Sequence, residues 1–328
     1  MIYIENNSKN PYFNLALEEY LMKNYPNDDD ILLLWQNDNT IVIGGNQNAY
    51  EEINVKQVKA DNVKVVRRLS GGGTVYHDEG NLNFSFIKKR SSNVVNNYYH
   101  FLQPIISVLQ KLGIYAEFSG KNDILIAGKK ISGNAQYANS NKILHHGTIL
   151  FNVDLLKLGA YLNVDPLKMQ SKAIKSVQAR VTNILPLLKD KITIMEFKAL
   201  IITELLKGEN KKVILSSEQL EEINKLAIAK YASWEWNYGI APKFQIQNKK
   251  LYEHKGTVTV GLNVNAGIIT DIKISGDFMG YYGTEIIEQQ LVGCKYDYEH
   301  IAGQLQNINI EEIFGVNFIA SEIIDLII

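Results

Sequence analysis

Residues 81–86, Asn-Leu-Asn-Phe-Ser-Phe, alternate polar and apolar side chains with period two, the pattern of a half-buried strand. Residues 1–5 alternate in the same way and predict an edge strand. In between, the period changes. Phe13, Ala16, Leu17, Tyr20 and Leu21 share one helical face behind the helix-start pair Asn10-Pro11, which leaves Glu18 and Glu19 as solvated positions. Pro26 and the polar run to Asp30 end that helix. The apolar runs 31–35 and 40–43, separated by Gln36-Asn37-Asp38-Asn39, predict a β-hairpin. A short helix over about 50–59 then leads into a buried strand at 63–66 with Lys64 turned outward.

Further along, Tyr98, Phe101, Leu102, Ile105, Val108, Leu109 and Leu112 predict a long helix over 94–112. Pro104 marks a kink or a break in it, and Gly113 suits its end. A strand follows at 115–118. Residues 124–126 and 129–132 form a hairpin around Ala127-Gly128, and 145–153 form another strand. Helices are predicted at 192–206, capped by Thr193 with Glu196 three residues on, and at 217–231. After Pro242 the pattern changes to strands at 244–246, 257–262 and 267–275, followed by helices at 285–292, 298–306 and 321–328. The expected class is α+β, with mixed and antiparallel sheets flanked by helices. The expected division is a large domain over 1–242 and a small α+β accessory domain over 243–328.

Composition narrows the function classes. A balance of 34 Lys+Arg against 35 Asp+Glu gives no electrostatic case for nucleic acid. Cys294 is the only cysteine, which excludes an internal disulfide and any multi-cysteine zinc site. No apolar run approaches the ~18 residues that span a bilayer, and the first residues do not resemble a signal peptide. A cytoplasmic protein without membrane partners is therefore expected.

Three stretches carry candidate chemistry. In the first, Arg67 and Arg68 end a strand and Ser70-Gly71-Gly72-Gly73-Thr74 follow. Three adjacent residues without Cβ let the backbone approach a ligand, their N–H groups can form an anion-binding concavity, and a guanidinium adds a bidentate partner. The loop is neither GxxxxGK[ST] nor GxGxxG. In the second, Lys129-Lys130 sits on a hairpin strand between Asn122-Asp123 and Ser132-Gly133-Asn134. In the third, 169–184, Lys172, Lys175 and Arg180 lie among small and polar residues; composition alone makes this a solvated surface loop. His145 and His146 are adjacent on a strand and point to opposite faces, so they cannot share a metal and are read as structural.

Taken together, these stretches resemble the lipoate-protein ligase family. Residues 67–81 match RRxSGGGxVxHDxGN. Residues 122–135 match NDI…GKKxSGxA, 145–155 match HHGTxLxNxDL, and the third stretch is similar to KxxxKSVxxRVxNL. The hairpin region 35–48 is similar to the family's WQN…TVVIG…NQN, except that Gly45 stands where members often carry a basic residue.

The resemblance implies a biotin/lipoate-ligase-like large domain and a reaction in two steps. Lipoate and ATP would give lipoyl-AMP and pyrophosphate. A lysine of a lipoyl-domain protein (a 2-oxoacid dehydrogenase E2 subunit or the glycine cleavage H protein) would then take the acyl group. It implies that Lys130 contacts both carboxylate and α-phosphate, and that Arg68, Ser70 and Gly71 to Gly73 belong to the loop around them. Main-chain groups from Gly73, Thr74, Val75 and Tyr76 would face adenine, and His77 would orient the lipoate end or pack as a core histidine. Asn122 and Asp123 would lie on the nucleotide side, with Asp123 toward Mg2+ or ribose. Lys172 and Arg180 would close over the adenylate.

Rival readings are weaker. A transferase of the same fold that works without ATP needs a cysteine nucleophile, and Cys294 lies in the small domain. Biotin-protein ligase is a related fold whose GRGRxG loop is missing here. A non-catalytic lipoate-binding relative is disfavoured by the retained Lys130 and Arg68.

Overall fold

The computed structural model describes residues 1–25, 29–91, 94–119, 122–162, 180–207, 211–239 and 244–328. In chain order the strands are β1 (Ile2–Ile4), β2 (Ile31–Trp35), β3 (Thr40–Ile43), β4 (Lys64–Arg67), β5 (Val75–His77), β6 (Asn81–Lys89) and β7 (Glu117–Ser119). They continue with β8 (Asp123–Ile126), β9 (Lys129–Ala138), β10 (Lys142–Leu150), β11 (Lys212–Val213), β12 (Ile246–Tyr252), β13 (Gly256–Asn265) and β14 (Ile268–Gly276). Eight strands make one mixed sheet in the order β11-β1-β2-β6-β10-β9-β8-β7, and β4-β3-β5 make a second, smaller one.

Helices cover the large sheet on both faces, and period-two alternation sends side chains into two cores. Leu32 and Leu34 of β2, with Leu82, Phe84 and Phe86 of β6, meet the helix Tyr98–Lys111 through Phe101, Leu102 and Ile105. Leu33 and Trp35 meet the helix Pro11–Lys23 through Leu15, Leu17 and Leu21 on the opposite face. A strand buried on both faces reads as an unbroken apolar run, which is how 31–35 appears in the sequence.

That run misleads about partners. β2 and β3 do not form the expected hairpin. β2 lies between β1 and β6, whereas β3 pairs parallel with β4 and antiparallel with β5 in the other sheet. Their connector crosses between sheets and is anchored there by buried Asn37, which bonds to Asn14 and to His77. Nor is β1 an edge, because β11 pairs beyond it. Glu18 and Glu19 are a second correction: both are only 2% exposed. Each is compensated, Glu18 by Ser85 and His146, Glu19 by Lys23, Lys230 and Tyr231, and a fully partnered carboxylate can occupy a buried helix face.

Element ends shift as well. The long helix starts at Tyr98 behind an Asn97 cap and runs through Pro104 to Lys111, and the expected short helix is two, Ala49–Glu52 and Val55–Ala60. The helix at 217–231 is α-helical to Leu226 and ends in a π turn over Ala227–Tyr231. The capping box at Thr193 and Glu196 is present as expected.

Antiparallel β12-β13-β14, with the helices Glu285–Leu291, Tyr298–Leu305, Ile310–Phe314 and Ala320–Ile327, enclose a separate core around Val258, Ile274, Phe314 and Ile323. The boundary expected at 242 lies outside the described residues. The class is α+β. The small unit rests on the large one through backbone bonds: Gly72 N–H to Phe278 O at 3.0 Å, Gly276 N–H to Asn46 O at 2.8 Å, and Ala138 N–H to Tyr281 O at 3.2 Å.

Candidate active site

A cavity of about 180 Å³ opens where the glycine loop, β5, the β8–β9 hairpin and β10 converge. Leu15, Trp35, Val42 and Val75 make its apolar wall. Arg68, Gly72, Gly73, Thr74, His77, Asn122, Lys130, His146 and Thr148 supply polar groups, and Met279 closes it from the small unit.

The two arginines divide their work. Arg67 is wholly buried, and its guanidinium donates to Trp236 O at 2.9 Å, Gly44 O at 3.0 Å, Gln47 O at 2.5 Å and Asn237 O at 3.0 Å. Arg68 reaches the cavity, but its donors brace the loop, to Ser70 Oγ at 3.1 Å, Val42 O at 3.3 Å, Gly71 O at 2.7 Å and Gly73 O at 2.8 Å. Burial pushes each guanidinium down to about 10, so both stay charged at neutral pH. Gly72 has φ +87°, and a Cβ there would meet Met279 Sδ at 2.8 Å. At Gly73 a Cβ would find no neighbour within 4 Å, so this residue's backbone borders open space.

Ser70 is buried behind the loop, not in the cavity wall. Its Oγ lies 2.6 Å from His146 Nε2, and His146 Nδ1 lies 3.0 Å from Glu18 Oε1. Glu18 also accepts from Ser85 Oγ at 2.5 Å. His145 faces the other way and stacks on Phe101 with ring centroids 4.5 Å apart. The opposite-face reading of the pair holds, but His146 lines the cavity as well as serving the fold.

Lys130 stands at the cavity mouth. Ala127 (φ 48°) and Gly128 (φ 74°) turn β8 into β9, which sets Lys130 Nζ 2.8 Å from Asp123 Oδ1. A Cβ on Gly133 would lie 2.7 Å from Lys130 Nζ, so the glycine makes room for that amine. Asn122 and Asn134 lock the hairpin by reciprocal side chain-to-backbone bonds of 2.8 Å. Lys130 O accepts Thr182 N–H at 2.9 Å. Arg180, two residues before Thr182, is exposed. Lys172 lies outside the described residues, as does Lys175. Tyr76 is turned away, with its OH on Asn39, and Gly71 packs under Phe278. Asp123 stands behind Lys130.

The sequence reading missed Trp35, Asn83, His146 and Met279 as cavity residues. Trp35 sits in the quoted WQN motif and His146 in the HHG motif, so a signal existed for both. Met279 carries no local signal.

His77 is pushed down to about 3 by burial, then by Arg68 and His146, and His145 is held well below the ordinary histidine range by burial. Below pH 6.5 the unfolded chain takes up protons that these folded rings refuse, so stability present above pH 6.5 is lost as pH falls toward 3. The expected slope is about 1.4 kcal/mol per pH unit for each histidine. Urea unfolding between pH 7.5 and 5 checks it, and a flat midpoint would contradict it.

Comparison with known proteins decides the family. A family model described as "Lipoyl protein ligase A/B catalytic domain" matches residues 10–206, and one described as "Bacterial lipoate protein ligase C-terminus" matches 241–327. The chain belongs to the lipoate-protein ligase family. "Lipoate--protein ligase 1" of Staphylococcus aureus is 43% identical over 311 residues, 94% of each chain. "Lipoate-protein ligase LplJ" of Bacillus subtilis is 42% identical over 332 residues, 100% of each. Among solved structures, P. falciparum LipL1 in complex with lipoate has TM-score 0.80 at 30% identity, covering 99% of this chain and 97% of that one. A bi-partite lipoate protein ligase from Thermoplasma acidophilum, studied with its E2 lipoyl domain, has TM-score 0.67 at 27% identity, covering 75% and 98%. A lipoate-protein ligase A bound with ATP has TM-score 0.64 at 25% identity, covering 73% and 99%. Among the described residues no helix is long and apolar enough to cross a membrane.

Proposed function

We propose that this ligase activates free lipoate with ATP as lipoyl-AMP and passes the lipoyl group to a lysine of a lipoyl-domain protein. The observation that carries the proposal is the Lys130 amine at the mouth of an apolar cavity, beside the open backbone of Gly73. In the first step a carboxylate oxygen attacks the α-phosphorus, and the bond to the bridging oxygen breaks to release pyrophosphate. Lys130 offsets the repulsion between carboxylate and phosphate, and its charge is worth most in a water-poor site. Thr74 and the backbone of Val75 flank the nucleotide. In the second step the acceptor amine attacks the acyl carbon, AMP departs, and the nitrogen loses a proton. None of this requires a protein nucleophile.

Mg2+ fits only in part. Among the described residues no group of three or more His, Cys, Asp or Glu could hold a metal. Asp123 offers one carboxylate next to Lys130, and Mg2+ commonly takes one or two carboxylates plus substrate phosphates. When bound it would offset phosphate charge. The acceptor class is supported by the T. acidophilum ligase described with an E2 lipoyl domain.

The test is lipoate-dependent pyrophosphate release from ATP, followed by lipoylation once an apo lipoyl domain is added. Cys294→Ser should retain both activities. Cys294 is buried in the small unit, and burial, then Asp297, raises its thiol pKa, away from a reactive thiolate. Acyl transfer that needs no ATP and disappears in Cys294→Ser would replace this reading with a thiol-dependent transferase.

A further inference from the structure

Glu18 and Glu19 are adjacent and equally buried, each 2% exposed, but their partners differ. Glu19 accepts from Lys23 Nζ at 2.6 Å, Lys230 Nζ at 2.7 Å and Tyr231 OH at 2.7 Å, none of which lines the cavity. Glu18 receives two chains of hydrogen bonds that both begin in the cavity wall. In one, Trp35 Nε1 donates to Ser85 Oγ at 2.8 Å, and Ser85 Oγ donates to Glu18 Oε1 at 2.5 Å. In the other, His146 Nδ1 lies 3.0 and 3.1 Å from the two carboxylate oxygens, and His146 Nε2 lies 2.6 Å from Ser70 Oγ. Ser70 Oγ in turn accepts from Arg68 Nε at 3.1 Å. The first helix, β6, β10 and the glycine loop thus meet on one carboxylate.

The protons of the second chain all run one way. A guanidinium only donates, so Ser70 Oγ takes the Arg68 Nε–H, and a carboxylate only accepts, so the His146 ring proton sits on Nδ1. Nε2 is left to accept the Ser70 hydroxyl. Serine, histidine and acid stand in the order of a nucleophile, its base and an orienting group. Ser70, however, is 1% exposed, lies outside the cavity wall and already has a lone pair engaged by Arg68. The chain can hold but not attack. What it holds is Arg68, whose Nη2 spans Gly71 O at 2.7 Å and Gly73 O at 2.8 Å, so the plane set at Nε sets the course of the loop. Charge acts in the same sense: burial lowers the Arg68 pKa, and the Glu18 charge works against that lowering.

We infer that Glu18 is a positioning residue for the activation step: through His146 and Ser70 it fixes the Arg68 guanidinium, and through Arg68 the backbone of Gly71 to Gly73 that meets the reacting anions. The inference rests on the adenylation reading and adds to it a residue that lies outside the cavity.

The experiment measures lipoate-dependent pyrophosphate release by the full chain. Glu18→Gln keeps the size of the side chain and removes its charge. Its kcat should fall roughly tenfold or more, with KM for lipoate and ATP within about twofold of the unaltered protein. Glu19→Gln, at a position buried to the same extent, should keep its kcat, which separates positioning from the general cost of altering a buried carboxylate. Ser70→Ala should lose as much as Glu18→Gln, and the double variant no more than either, because both changes break one chain. Ring 15N spectra of the unaltered protein at pH 7.5 should show His146 as the Nδ1–H tautomer. An unchanged kcat in Glu18→Gln, an equal loss in Glu19→Gln, additive losses in the double variant, an Nε2–H ring, or acyl label on Ser70 would each overturn the inference. The spectra decide it even where a variant fails to fold. An unaltered protein that releases no pyrophosphate with lipoate would overturn the adenylation reading instead.

Discussion

Lys130→Ala is expected to cut lipoate-dependent pyrophosphate release by roughly 10²–10³-fold while leaving the fold intact. Among the described residues the amine is the only cationic side chain of the cavity whose donors do not brace the glycine loop; Arg68 uses its donors on Ser70, Val42, Gly71 and Gly73. Its ion pair with Asp123 is part-exposed and contributes little to stability. Loss of the side chain should therefore appear in rate, not in unfolding. Lys129 precedes it on the same strand and points to the other face, so Lys129→Ala should change little. Pyrophosphate release in Lys130→Ala close to that of the unaltered protein would remove this residue from the chemistry.

Arg67→Ala should have its main effect on stability, a loss of about 1–3 kcal/mol for each buried carbonyl left without a donor. The guanidinium joins Gly44 O and Gln47 O to Trp236 O and Asn237 O. Removing it orphans buried carbonyls from two distant segments at once. Asn237 Oδ1 accepts the Arg67 N–H, and Trp236 Nε1 donates to Arg67 O, so the last turn before residue 239 would loosen from β4. Arg67→Lys should recover little, because one ammonium cannot reach the directions that a planar fork spans. Denaturant unfolding followed by tryptophan fluorescence measures the effect. A midpoint like that of the unaltered protein would show that other contacts hold this junction.

The two neighbouring arginines illustrate where sequence reasoning stops. Both were visible as charges beside a glycine loop, but nothing local separates a brace from a residue that reaches the cavity. The difference comes from Trp236 and Asn237, 169 and 170 positions away. The same limit explains Glu18 and Glu19. Their charge alone predicts solvated positions, and only the arrival of His146, Lys230 and Tyr231 makes burying them tolerable.

The sequence by itself determined the features governed by neighbours in the chain. These include the capping box at Thr193, the β8–β9 hairpin around Ala127-Gly128, the clustering of Arg68, the three glycines and His77 within ten residues, and through these motifs the family. Tertiary structure alone decided that β2 and β3 enter different sheets, that Met279 packs over Gly72, and that Asn37 bonds to His77. Periodicity reports how much of a side chain is buried, not which partner buries it. Partner choice depends on hydrogen bonds and contacts made between segments that meet only after the sheets have assembled.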